Sequence, residues 1–336
     1  MPKVIYLLGA GASAQCLPVV EDIPARLNMF YQYIVENRVG RPERFKNLTC
    51  PETERDGEEL LLNACKDLAE KCARHASIDT YAKKLFITAS NEYNKLKAVL
   101  TCFFLYEQMT HEPDKRYDSF FASILGSHAL EFQGDIRILS WNYDYQIEKA
   151  YSQYSTKNSI RENQLMLRVH PDGLNIADIE SVFSIFKING TTGFEELTMR
   201  SNKNLFPEFN IISGPEMIDK LSWFYLASIR CRDIINSKIS FAWETTNPNN
   251  IITSACDQIK DASALVVIGY SFPFFNRKFD KQIMQSLVRE QRTNIYVQDK
   301  DTKPIIDKIS SVLPIDHNFD IIPVNSYDQF YLPPEL

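Results

Sequence analysis

The 336-residue sequence contains no apolar run near the roughly 20 residues that span a bilayer, so no membrane partner is expected. It has no CxxC, and its cysteines are odd in number: Cys16, Cys50, Cys65, Cys72, Cys102, Cys231 and Cys256. A structural zinc needs paired Cys/His spacing, so no metal is expected. Cys65, Cys72 and Cys102 fall in apolar helical patterns, which points to small buried thiols and a reducing, cytoplasmic setting. Positive charge is not in excess. A net charge of −6 and a pI near 5.5 argue against a broad nucleic-acid-binding face. No internal repeat or low-complexity tract breaks the chain. Its start leads straight into a strand pattern, without the basic, apolar and small-residue sections of a signal peptide.

What is present is an ordinary globular composition, 44% hydrophobic and 24% charged, long enough to bury a full core. Val4-Ile5-Tyr6-Leu7-Leu8 is a run of strand formers, and Gly9-Ala10-Gly11-Ala12-Ser13 follows at once. A buried strand running into glycines is how a doubly wound sheet meets a phosphate, with the N–H groups of the next helix facing the anion. A tight strand-to-helix turn without a ligand has the same residues.

Further along, a helix is expected from about Pro24 through Ile34, and an exposed loop over 40–56. Leu61, Cys65, Leu68 and Cys72, then Leu96, Leu100, Phe103 and Phe104, carry helical spacing. About four helices are expected between Glu58 and Gln133. Because a crossover needs only about a dozen residues, the excess is read as a helical insertion, 25–133, in a single domain covering 1–336. Asp135–Ser140 reads as a strand ending in Trp141-Asn142-Tyr143-Asp144, with a helix through Ile147 and Ala150. Residues 155–178 read as irregular, Val182–Ile188 as a strand ending at Asn189-Gly190, and 194–214 as loop. Met217 to about Ile235 reads as helix, and another opens at Asn247-Pro248. Ala264–Ile268 is the most apolar strand and ends in Gly269-Tyr270-Ser271-Phe272-Pro273. A helix from Asn276, a strand over Asn294–Val297 ending in Gln298-Asp299, a helix from Thr302 and an edge strand over Asp320–Val324 complete the chain. Short apolar strands alternating with helices predict an α/β fold with a parallel, Rossmann-like sheet covered on both faces. Its polar strand ends, at Gly9, Asn142, Asn189, Gly269 and Gln298, then share one edge.

This set of strand ends resembles the sirtuin fold, and more closely the sirtuin-like NAD hydrolase domains of prokaryotic antiphage defence. Gly9–Ser13 is similar to that family's GAG-x-S turn, Asn142-Tyr143-Asp144 to its N-x-D, and Val267-Ile268-Gly269-Tyr270-Ser271-Phe272-Pro273 to the defence branch's VIGYSFP. Ser77–Lys84 also resembles a helical segment of that branch. The resemblance implies that Gly9, Ala10, Gly11 and Ser13 cradle the NAD diphosphate. It puts Asn142 at the ribose beside nicotinamide, Gly269, Tyr270 and Ser271 along phosphate and ribose, and Gln298 at the adenosine. It further implies an NAD glycohydrolase acting in abortive infection, activated by self-assembly or by a separate partner. The zinc module of protein-deacylating sirtuins has no counterpart here. Asn189 stands where the family carries a histidine.

Cleaving nicotinamide from NAD breaks a C–N bond whose leaving group is already cationic. The site must therefore hold the ribose, stabilise an oxocarbenium and position water. The Asn142 amide both donates and accepts, which suits that task; it also suits a helix N-cap. Asp144 fits a ribose hydroxyl or a helix N-terminus, and Ser13 and Ser271 fit a ligand or a cap. Asn189 orients water but takes no proton, so His170, in the loop before its strand, is the candidate base. A surface role for His170 is the alternative. The second functional reading is a module that binds NAD or ADP-ribose without cleaving it.

Overall fold

The computed structural model describes residues 2–38, 57–127, 131–157, 159–171, 182–197, 202–205, 213–232, 234–244, 251–288, 292–315 and 319–336. In chain order the first elements are β1 (Lys3–Leu8), α1 (Ile23–Glu36), α2 (Gly57–Arg74), α3 (Ile78–Ile87), α4 (Glu92–Thr110) and α5 (Lys115–Ile124). Next come β2 (Asp135–Ser140), α6 (Gln146–Tyr151), α7 (Ile160–Met166), β3 (Val169–His170), β4 (Phe183–Lys187), β5 (Gly190–Leu197) and β6 (Asn202–Leu205). The last are α8 (Gly214–Arg230), β7 (Ile235–Ile239), α9 (Ile251–Gln258), β8 (Ala264–Ile268), α10 (Arg277–Ser286), β9 (Thr293–Gln298), α11 (Thr302–Ser310) and β10 (Phe319–Val324). They fall into two compact units. One comprises Met1–Cys16, Pro113–Thr191 and Ser240–Leu336; the other comprises Leu17–Glu112 and Thr192–Ile239.

The first unit holds a seven-stranded sheet in the order β10-β9-β8-β1-β2-β4-β3, with every neighbouring pair parallel. The fold is α/β and Rossmann-like. Without the two-residue β3, the strand order is that of a doubly wound sheet whose direction reverses between β1 and β8. Register puts the carboxyl ends level: Leu8 lies opposite Ser140 and Ile268, Ser140 opposite Lys187, and Ile268 opposite Gln298.

Alternation along the strands feeds two cores. Ile5, Leu7, Leu139, Phe186, Val267 and Val297 pack with Ile252 of α9, Ile283 of α10 and Ile309 of α11. On the other face Val4, Tyr6, Ile138, Ile185 and Val266 pack with Phe120 and Phe121 of α5 and Ile147 of α6. Each such side chain contributes about 1.5–3 kcal/mol by leaving water. A strand apolar on both faces is stable only when both faces are covered. β10 closes one edge, where Pro323 is tolerated because the edge needs no further donor.

The second unit contains α1–α4, α8 and most of a three-stranded sheet in the order β6-β5-β7. α4 is buried round most of its circumference, which makes it the unit's central helix. Cys65, Cys72 and Cys102 are buried. Ser77 caps α3 by accepting from Thr80 N at 3.0 Å. This unit takes the part of the expected 25–133 insertion up to Glu112 and adds Thr192–Ile239, while α5 belongs to the first unit.

Three expectations are corrected. Residues 155–178 include α7 and β3. The expected loop over 194–214 includes the end of β5, paired antiparallel with β6, and the start of α8. β7 occupies the place where a helix was expected to end. β3, β6 and β7 are short, so pairing partners rather than propensity sustain them. The expected loop over 40–56 and the helix start at Asn247-Pro248 lie outside the described residues.

Candidate functional site

β1 delivers Gly9 to the point where the sheet reverses. Gly9 N donates to Ile268 O and Gly11 N to Gly269 O, both at 3.0 Å. The chain then makes a short 3₁₀ turn, Ala10–Ser13, and the next α-helix, α1, begins only at Ile23. An ideal Cβ on Gly9 would lie 2.5 Å from Gly269 O, and one on Gly11 would lie 2.6 Å from Gly269 Cα. Gly269 itself has φ +59, and its Cβ would lie 2.3 Å from Gly11 Cα. These glycines let two backbones touch, a requirement met inside the protein. Ala10 is exposed at the turn.

Asn142 follows β2 and donates its side-chain Nδ2 to Gly9 O at 2.8 Å. It is half-buried, and its Oδ1 has no partner among the described residues. Ser13 Oγ donates to Asp144 Oδ2 at 2.9 Å and lies 3.2 Å from the Tyr117 hydroxyl. The other Asp144 oxygen accepts at 3.1 Å from the N–H of Gln146, the first residue of α6. Both residues are buried, so the structure pairs them with each other. Burial pushes the Tyr117 hydroxyl far above its ordinary value.

Beneath the turn lies a guanidinium that sequence reasoning missed. Arg116 donates to both Asp114 oxygens, at 2.9 and 2.6 Å, and to Gly11 O at 2.8 Å. Asp114 also accepts from Gln15 N at 3.1 Å, and Gln146 Oε1 accepts from Asp114 N and from Cys16 Sγ. Burial pushes the Cys16 thiol up to about 12, so it stays protonated. Asp114 caps α5 by accepting from Arg116 N at 3.0 Å; no local pattern shows the reach of Arg116 to Gly11.

Asn189 also sits at this edge, but its amide is engaged on both sides. Nδ2 donates to Trp141 O at 2.8 Å, and Oδ1 accepts from Ala242 N at 3.2 Å. His170 is corrected from loop to strand. It lies in β3 opposite Phe186, buried, with its ring stacked on Phe186 at 5.0 Å. Burial lowers its pKa, with Arg168 adding to the effect, so the imidazole is held neutral.

Tyr270 turns inward. Its hydroxyl donates to Asp280 Oδ1 at 2.9 Å and accepts from Asn276 Nδ2 at 3.1 Å, and its ring stacks on Trp141 at 5.4 Å. Ser271 is exposed, and its carbonyl accepts from Lys308 at 2.7 Å. Phe272 is buried with φ +47, a left-handed conformation that costs a non-glycine residue about 1–3 kcal/mol. Gln298 is engaged with the tail that follows β10. Nε2 donates to Ser326 O and Gln329 O, each at 2.6 Å, and Oε1 accepts from Tyr331 N at 3.0 Å.

Gly9, Ala10, Gly11, Ser13, Asn142, Asp144, Asn189, Gly269, Tyr270, Ser271 and Gln298 thus share the carboxyl edge, where open α/β sheets take ligands. His170 lies within the outermost strand. Among the described residues, Asn142 Oδ1 is a side-chain atom left available at the reversal point. Among the described residues no cluster of three His, Cys, Asp or Glu could hold a metal ion, and no helix is long and apolar enough to cross a membrane.

No family model and no curated protein matches the chain. Its structural neighbours are sirtuins. A Sir2 structure with an inhibitor, 2'-O-acetyl-ADP-ribose and a deacetylated peptide aligns at TM-score 0.40 and 11% identity, covering 97% of this chain and 88% of that one. A second sirtuin, from a study of substrate affinity, gives the same TM-score, identity and coverage. Sir2Tm bound to a propionylated peptide gives 0.39 and 9%, covering 97% and 87%.

Proposed function

We propose that this chain binds NAD at the carboxyl edge of its parallel sheet and hydrolyses it to nicotinamide and ADP-ribose. The observation that carries the reading is the Asn142–Gly9 hydrogen bond. It joins the N-x-D turn to the glycine turn where the sheet reverses, and it leaves Asn142 Oδ1 available. In the reaction the ribosyl C–N bond breaks and its electron pair leaves with neutral nicotinamide. A water oxygen adds to the ribose carbon, and its proton passes to solvent. Asn142 Oδ1 accepts from a ribose hydroxyl and holds the sugar as positive charge develops. The glycine turn, anchored by Arg116, receives the diphosphate. In this reading the hydrolase is an antiphage effector that depletes NAD in the cytoplasm once self-assembly or a separate partner activates it.

Nicotinamide release by purified protein, measured across a protein concentration series with Asn142→Ala alongside, tests this. Release that climbs steeply with concentration and is lost in the variant is expected. Absence of both release and any NAD-dependent thermal shift overturns it.

A second reading, an NAD- or ADP-ribose-binding module, is favoured by one observation. The Asn189 amide is committed to Trp141 and Ala242, and His170 is stacked within the sheet, so neither is placed as a base. A thermal shift with NAD and no release at any protein concentration would select it.

A further inference from the structure

Lys187 ends β4, and its side chain is fully buried. Its Nζ donates to the main-chain oxygen of Asp144 at 2.5 Å and lies 3.3 Å from a carboxylate oxygen of Glu148, itself fully buried on α6. A lysine at such a depth is costly unless paired. Apolar residues could fill the volume at no loss of stability, so a stability argument alone leaves the lysine unexplained. What no apolar residue supplies is the bond to the Asp144 carbonyl. The Asp144 carboxylate is already fixed by Ser13 and by Gln146 N, and Asn142, two residues earlier, is fixed by Gly9. The ammonium holds this short turn from the side opposite the glycine turn.

We infer that Lys187 is a positioning residue for the Asn142–Asp144 turn, acting through the Asp144 carbonyl so that Asn142 stands ready for the ribose. The inference rests on the NAD hydrolase reading for its functional consequence, and on geometry alone for its effect on the turn. Lys187 makes no contact with substrate in this role. Its loss therefore lowers turnover while leaving substrate affinity nearly intact, as a displaced reacting group does.

Lys187→Met alone strands a buried carboxylate and is expected to unfold easily, so the test uses the double variant Lys187→Met/Glu148→Leu, in which charge and partner leave together. Glu148→Gln is the companion; it keeps the shape and the lysine–carbonyl bond but costs stability, since the buried ammonium loses its counter-charge. Hydrogen exchange of residues 141–146 is read on all three proteins, with kcat and KM for NAD cleavage where the parent cleaves. The double variant is expected to keep the parent's unfolding midpoint, to exchange faster over 141–146, and to lose on the order of 10²-fold in kcat with KM within about threefold. Glu148→Gln is expected to match the parent in exchange and turnover. Parent-like exchange and turnover in the double variant would overturn the inference. So would an equal loss in Glu148→Gln, since the ion pair and not the carbonyl bond would then be responsible. A parent that neither binds nor cleaves NAD would defeat the hydrolase reading, and exchange over 141–146 would still decide the role of Lys187.

Discussion

Gly11 and Gly269 meet backbone to backbone. A methyl group on Gly269 would lie 2.3 Å from the Cα of Gly11, and the φ of +59 at Gly269 already excludes most side chains. Gly269→Ala is therefore expected to force β1 and β8 apart where the sheet reverses. The expected loss is at least about 1–3 kcal/mol, the scale of a strained backbone, with more from the clash. Urea unfolding measures it; a midpoint equal to the parent's would show that the two turns separate freely.

Asn189 is expected to behave as a strut. Asn189→Ala leaves the Trp141 carbonyl and the Ala242 N–H without their partner, at about 1–3 kcal/mol for each group that stays dry. Its main effect should appear in the unfolding midpoint. Asn142→Ala removes one bond at a half-buried position and should cost only about 0.5–1.5 kcal/mol while abolishing NAD cleavage. Comparing the midpoints of the two variants separates strut from site.

The Asp280 carboxyl gives the fold a pH dependence with a defined sign. Burial pushes it up to about 7, opposed by the Tyr270 hydrogen bond and by Arg277. In the unfolded chain an aspartate titrates near 3.9. Between these values the native state holds a proton that the unfolded state has released, so this group's contribution declines as pH rises from about 4 to about 7 and is level beyond. Across that window the parent's Tm should fall relative to that of Asp280→Asn. Parallel Tm curves for the two proteins would contradict this.

The tail is expected to be integral to the first unit. Phe330 is buried, packs edge-on against Tyr117 at 4.9 Å, and carries the Arg116 guanidinium 5.4 Å from its ring. Phe330→Ala should cost about 3–5 kcal/mol, as large-to-small changes of buried aromatics do. It should also speed proteolysis after β10. Unchanged denaturant and protease resistance would show that the tail merely rests on the surface.

Much of the sheet was legible because its strands are rich in apolar residues and end in glycine or polar residues: Val4–Leu8, Asp135–Ser140 and Ala264–Ile268 all stand where pattern placed them. Residues 155–178 and 194–214 were not legible, because α7, β3 and β6 are brief and owe their form to neighbours distant in sequence. At the candidate site, pattern located the strand ends but not where their side chains turn. Tyr270 and Gln298 look like ligand contacts in a motif, yet in the fold their polar groups meet Asp280 and the tail. Arg116 and Asp114 reach the glycine turn across a hundred residues of chain, a distance no local reading covers. Lys187, a charge at the end of a mostly apolar strand, finds its partners only in the fold.

The central position of β1 has a consequence for synthesis. This strand leaves the ribosome before either partner; β2 and β8 follow only after Gly134 and Ser263 have been added. At about 5–20 residues per second, β1 waits roughly 6–25 s with both hydrogen-bonding edges unpaired and about as long again with one. During that interval it is a sticky ribbon. Any factor that shields β1 on the nascent chain should raise the yield of soluble protein, and slowed translation ahead of β8 should lower it.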